Sequence, residues 1–199
     1  MKVYLDNSAT SYPKPKQVIQ AMTDALNTHS LSPGRSGHAF ALQASREVFD
    51  ARESIARFFN APLSEKVIFT ANATLALNMV FKGYFKQGDH VIISHFEHNS
   101  VYRPLRYLER KGIISISIAP HINRVYVDVD AIRLMIQPNT RMIACIHGSN
   151  ASGAVQPIAE LGKICHDHGL RFLVDAAQTA GFVPIDMSAP DLSTLVRQI

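Results

Sequence analysis

The chain has 199 residues, of which 47% are hydrophobic and 18% charged, with a formal net charge of +4. That is enough for one well-buried domain, and the scattered basic residues, with no patch interleaved by aromatics, leave no footprint for a nucleic-acid partner. Two cysteines make no disulfide framework, no apolar run reaches membrane-spanning length and the N-terminus lacks the apolar core of a signal peptide, so a cytoplasmic protein with no membrane segment is expected.

In chain order, Val3-Tyr4-Leu5 is a short extended opening that runs into the polar loop Asp6-Asn7-Ser8-Ala9-Thr10. Pro15 suits the first turn of a helix over about 15–28, with Val18, Ile19, Met22, Ala25 and Leu26 on one face. A breaker segment, 30–38, follows. Beyond it Phe40, Ala44, Val48, Ala51, Ile55 and Phe58 repeat at fours and threes, which predicts a long amphipathic helix whose stripe serves as core or subunit interface.

From Asn60 the pattern alternates. Strands are expected at Val67–Thr70, Val91–Ile93, Ile113–Ile118, Met142–Ile146 and from Arg171. Between them lie helices at Ala73–Phe85, Asn99–Arg110, Asp128–Ile136 and Pro157–His168. Strands and helices taking turns at these intervals predict an α/β fold in three layers, a mostly parallel sheet covered on both faces. Cys145 falls in a strand and Cys165 in a helix, so both are read as buried, reduced thiols.

In open α/β sheets ligands collect at the carboxyl ends of the strands, so the loops there are where chemistry is sought. Ala71-Asn72-Ala73-Thr74 opens a helix, and its free N–H groups make either an anion cradle or an ordinary cap. Ser94-His95-Phe96-Glu97-His98, with His90, invites a metal reading, but the spacing is one residue short of H-x-x-E-H and no helical period holds the ligands together. No metal is assigned. His147-Gly148-Ser149-Asn150 ends the next strand, and Asp175 with Gln178 the last; Asp175 either contacts a ligand or simply ends its strand. No G-x-G-x-x-G follows the first strand, which argues against a dinucleotide site. An anion cradle, an imidazole, an amide and a carboxylate on successive strand ends suit a flat, anionic aromatic cofactor with a ring nitrogen. A carboxylate paired with that nitrogen is the arrangement expected for pyridoxal phosphate.

Several motifs then resemble one family. Tyr4-Leu5-Asp6-Asn7-Ser8-Ala9-Thr10, Pro33-Gly34-Arg35-Ser36-Gly37-His38, Phe69-Thr70-Ala71-Asn72-Ala73-Thr74, Glu97-His98-Asn99-Ser100, Ser149-Asn150 and Val174-Asp175-Ala176-Ala177-Gln178 occur in an order and spacing similar to the class V aminotransferases of fold type I, and within them the cysteine desulfurase-like proteins. The resemblance covers about residues 3–187. It implies that Ala73 and Thr74 hold the cofactor phosphate, that His98 stacks on the ring and moves protons, and that Asn150 and Gln178 contact the ring hydroxyl. It also implies that Asp175 pairs with the pyridine nitrogen, and that Arg35 and His38 lie near the substrate entrance. The implied reaction takes a small amino acid such as L-cysteine and removes its sulfur, leaving alanine and an enzyme persulfide. A homodimer and a sulfur-accepting protein partner are implied as well.

The departures from the family concern its covalent chemistry. Its Schiff-base lysine, in an S-G-H-K motif, would fall just beyond Ile199, and residues 188–199 do not look like the strand that leads into that motif. Lys163 sits in the helix after Pro157 and is read as a solvated surface residue; neither cysteine matches the family's catalytic thiol. The expected organisation is therefore an opening segment 1–14, a partial pyridoxal-phosphate-binding large domain 15–187, an aberrant or truncated tail 188–199 and no C-terminal small domain. The strand at 67–70 would lack its sheet neighbour, and the chain as it stands would be inactive and of poor stability. The alternative is a non-catalytic pseudoenzyme or scaffold that kept the pocket.

Overall fold

The computed structural model describes residues 3–28, 33–34, 37–188 and 194–196. The chain divides into two compact units, 1–67 and 68–199.

The first unit is helical: α1 (Lys16–Thr28), α2 (Ala39–Phe58) and a single 3-10 turn, Ser64–Lys66. Helix α2 starts where His38 turns extended and its Nδ1 accepts the Ala41 N–H at 3.3 Å. It ends in a Schellman turn: Asn60 takes a left-handed conformation (φ 52°), and the Ala61 N–H reaches back to the Ala56 carbonyl at 2.8 Å. Both helices fall where their periodicity predicts. The stripe on α2, expected to serve as core or interface, is buried only at Ala44; Val48 and Ile55 are half-covered, and Phe40, Ala51 and Phe58 are exposed.

The second unit carries the sheet. Its elements are α3 (Ala73–Tyr84), β1 (Asp89–Ile93), α4 (Asn99–Arg110), β2 (Ile114–Ile118), a hairpin of β3 (His121–Ile122) and β4 (Tyr126–Val127), α5 (Val129–Met135), β5 (Thr140–Ile146), α6 (Ile158–Asp167), β6 (Arg171–Asp175) and β7 (Thr194–Val196). Five strands pair in the order β2-β1-β5-β6-β7, all in parallel. Side chains alternate between faces along each strand. Val91, Ile93, Met142, Ala144 and Leu173 pack with Leu77 and Phe81 of α3 and with Val101 and Leu105 of α4. Ile92, Ile143, Phe172 and Val174 point the other way and are fully buried, and α6 packs on β5 and β6. The expected three-layer α/β architecture is present. Helices α4 and α6 end on Gly112 and Gly169, both left-handed (φ 68° and 64°), so the chain reverses within two residues and feeds β2 and β6.

Three local readings differ from the structure. Val67–Thr70 is not a strand; no ladder partner lies beside it among the described residues, and Ile68 and Phe69 are 63% and 43% exposed. Thr194–Val196 is a strand that the sequence reading did not assign, pairing Val196 with Asp175; a three-residue run shows no period until β6 offers it an edge. The β3–β4 hairpin was also unforeseen. Its turn places Asn123 and Arg124 both at positive φ (52° and 60°), a primed turn without the glycine that normally announces it.

Candidate active site

The carboxyl ends of β1, β5 and β6 and the start of α3 carry the site residues predicted in the second unit. At the start of α3, Asn72 does the capping: its Oδ1 accepts the Leu75 N–H at 2.8 Å, while Thr70 Oγ1 donates to the Asn72 carbonyl at 2.9 Å. The N–H groups of Ala73 and Thr74 lie in the first helical turn, where no intrahelical acceptor exists. The cap thus uses a different group from those N–H groups, and the two readings of this turn do not compete.

His98 is the N-cap of α4. Its Nδ1 accepts the Ser100 N–H at 3.2 Å and lies 2.8 Å from Ser100 Oγ. With Nδ1 accepting, the neutral ring carries its hydrogen on Nε2, an assignment that follows from the hydrogen-bond pattern. His98 and Thr74 line one cavity of about 560 Å³ between α3 and α4, together with Asn78, Lys82 and Arg103. Two helix starts and two basic side chains make this an electropositive space.

Asp175 ends β6 with 3% of its surface exposed. Its Oδ1 accepts the Ala177 N–H at 3.0 Å. Burial raises the carboxyl above its ordinary value, while that N–H and the nearby His98 pull it back. Such a group asks for a cationic partner in its ionised form. Gln178 follows on the same turn, half-buried, and Asn150 stands exposed after β5.

The loops after β5 and β6 are locked to one another by contacts that the sequence reading missed. His147, buried, lies with Nδ1 2.8 Å from Thr179 Oγ1, and burial lowers its pKa. Gly148 sits so close that a Cβ there would meet Thr179 Cγ2 at 2.4 Å. Polar and small residues after a strand were the only signal, and they do not say which loop they touch.

The histidines that suggested a metal are dispersed. His90, at the opposite end of β1, bridges Thr140 Oγ1 (2.8 Å) and Ser117 Oγ (2.9 Å) across the sheet. The His95 ring packs on His121 at 4.9 Å, and the Glu97 carboxyl accepts the Ile146 N–H at 2.7 Å. Among the described residues no group of three or more His, Cys, Asp or Glu could hold a metal ion. His38 belongs to the first unit, where it caps α2; Arg35 lies outside the described residues. Lys163 is exposed on α6, as expected of a surface lysine, and Cys145 and Cys165 are both buried. No helix among the described residues is long and apolar enough to cross a membrane.

The profile of the family "Aminotransferase class-V" matches residues 3–196. The chain belongs to the class V aminotransferase family. A probable cysteine desulfurase from Methanothermobacter thermautotrophicus is 36% identical over 188 residues, covering 94% of this chain and 46% of that protein. Cysteine desulfurase IscS of Vibrio atlanticus is 34% identical over 194 residues, covering 94% and 47%. Among solved structures, the apo cysteine desulfurase of Thermococcus onnurineus superposes with a TM-score of 0.90 at 30% identity, covering 98% of this chain and 49% of the other. SspA in complex with cysteine superposes equally well at 28% identity, covering 99% and 57%. The chain spans about half the length of the curated relatives it matches. Members of the class V aminotransferase family are pyridoxal-phosphate enzymes, and the buried carboxylate and the helix-start cradle fit that group chemically.

Proposed function

We propose that this chain builds the cofactor-cradling part of a cysteine desulfurase-like pyridoxal-phosphate enzyme that acts at the Cα of a small amino acid such as L-cysteine. The observation that carries the reading is Asp175: a buried carboxylate at a strand end, within electrostatic reach of His98, which shares a cavity with Thr74. In this reading the N–H groups of Ala73 and Thr74 with the Thr74 hydroxyl bind the phosphate, and His98 lies against the ring. Asn150 and Gln178 orient the ring through its hydroxyl, and Asp175 holds the proton on the ring nitrogen. When bound, the cofactor supplies an electron sink for the Cα–H bond. His98, with Nδ1 engaged by Ser100, presents Nε2 to move a proton.

By themselves the 199 residues are read as non-catalytic. Burial pushes the Cys145 thiol well above its ordinary value, so it does not supply a thiolate nucleophile. Lys163 on α6 is a surface residue. Homodimer formation and a sulfur-accepting partner belong to the same proposal and rest on the family alone.

The test is a titration of the chain with pyridoxal phosphate, followed by absorbance and by equilibrium dialysis. Asp175→Asn is expected to weaken binding about tenfold or more, the scale of one charge-assisted hydrogen bond. An unchanged affinity would remove Asp175 from the site. Borohydride is expected to leave no stable adduct on any single lysine; stoichiometric labelling of one, Lys82 included, would overturn the non-catalytic reading.

A further inference from the structure

Glu97 occupies the crossing from β1 to α4, one residue before His98. Its Oε1 accepts two hydrogen bonds, from the Ser94 hydroxyl and from the Ile146 N–H at 2.7 Å. The second bond is informative. Strand β1 pairs with β5 as far as Ala144, where the Ser94 N–H still reaches the Ala144 carbonyl at 3.2 Å. Beyond that point β1 has ended, and the N–H of Ile146, the last residue of β5, would face no strand. A buried N–H left without an acceptor is costly. The Glu97 carboxyl takes the place of the departed strand and continues the ladder. One side chain thereby ties the loop that presents His98 to the strand end that leads to Asn150.

The other oxygen behaves differently. Oε2 is buried and has no hydrogen-bond partner among the described residues. An ionised carboxyl would leave charge on an oxygen with nothing to receive it, in a low-dielectric setting. Because two donors already occupy Oε1, a proton goes to Oε2. Of the titratable groups facing it, Asp175 from β6 adds to that preference, since it would meet a second negative charge, while the Cys145 thiol from β5, held protonated by burial, carries none.

We propose that Glu97 is a positioning residue that acts as a neutral acid, clamping the His98 loop to the end of β5 while Asp175 carries the negative charge of the site. Its bearing on the cofactor rests on the function proposed above, whereas the clamp is a property of the chain alone. Burial first, and Asp175 further, push the Glu97 pKa up from 4.5 to about 8 against the two hydrogen bonds it accepts. The sign for stability follows. Between those values the folded state binds the proton and the unfolded state does not, so the contribution is complete below the unfolded value and is lost as pH rises towards 8. Within the window this group alone raises the unfolding equilibrium constant about tenfold per pH unit.

The experiment uses the 199-residue chain with its six glutamates labelled at the carboxyl carbon, and follows their ¹³C signals from pH 4 to 10 without cofactor. The signal missing from Glu97→Gln is expected to titrate near pH 8 in the wild-type protein. Urea unfolding of Glu97→Gln, whose amide keeps an acceptor and a donor but cannot ionise, is expected to lose the steep pH dependence between about 5 and 8. Glu97→Ala is expected to lose exchange protection at the Ile146 amide, which Gln restores. A Glu97 signal that titrates below pH 6, or a Gln variant that does not fold while wild type does, overturns the proposal. Added pyridoxal phosphate separates the two readings: if His98 signals stay unmoved while Glu97 still titrates near 8, the cofactor assignment falls and the clamp stands.

Discussion

Helices α1 and α3 are nearly equal in length, 13 and 12 residues, and both carry apolar residues at helical spacing. They end in opposite situations. Every residue of α1 whose side chain is described is exposed, with Met22 at 63% and Leu26 at 73%. Helix α3 buries Leu77 and Phe81 completely against the sheet and α4. The difference teaches that a periodic apolar stripe predicts the helix and says nothing about what covers it. In the second unit a parallel sheet, apolar on both faces, provides the cover; within the first unit the described cover is limited to small residues such as Ala41, Ala44 and Ala56, with Phe59.

The largest effect expected from this contrast is at the sheet. Phe172→Ala removes a fully buried side chain and is expected to destabilise the second unit by about 3–5 kcal/mol, whereas Leu26→Ala on α1 should stay within about 0.5 kcal/mol. Urea unfolding monitored by circular dichroism measures both, and similar losses would abolish the distinction between the two regions. Next in size is Gly148→Ala. The new Cβ drives into Thr179 Cγ2 and disturbs the His147–Thr179 contact, with an expected cost of about 1–3 kcal/mol. A neutral result would mean that the loops after β5 and β6 are not locked as described. The smallest effects are at the caps. Asn72→Ala loses the 2.8 Å bond that starts α3, an expected cost of about 1 kcal/mol, while His38→Ala on α2, whose bond is longer at 3.3 Å, should cost about half that or less. A larger loss at His38 would show the first unit to be the more cooperative of the two.

Much of the fold was legible because local rules agreed with the tertiary outcome. Asn99–Arg110 was read to the residue, since His98 is a capping residue and Gly112 a stop, with apolar residues between them at helical spacing. The strand ending on Asp175 was legible for the same reason, a short apolar run closed by a carboxylate. Val67–Thr70 misled because its composition suits a strand but no partner lies beside it among the described residues, and pairing is not a local property. For the candidate site, Ala73, Thr74, His98, Asn150, Asp175 and Gln178 were all proposed from strand-end positions and motif order. Glu97 was noticed as part of a metal cluster that does not assemble and of the motif around His98, with no role of its own. Its true contact, the Ile146 N–H, is 49 residues away.

From the sequence alone came the alternation of strands and helices, the family, and the residue types at each strand end, because these depend on period, caps and turn chemistry within a few residues. Tertiary structure alone decided which of those residues meet. It joined Thr74 and His98 in one cavity, gave Ile146 a carboxyl in place of a strand, set Val196 beside Asp175 and left the stripe of α1 uncovered. The physical reason is that burial, desolvation and hydrogen-bond completion depend on elements distant in the chain, and a carboxyl group's charge follows from the company the fold provides.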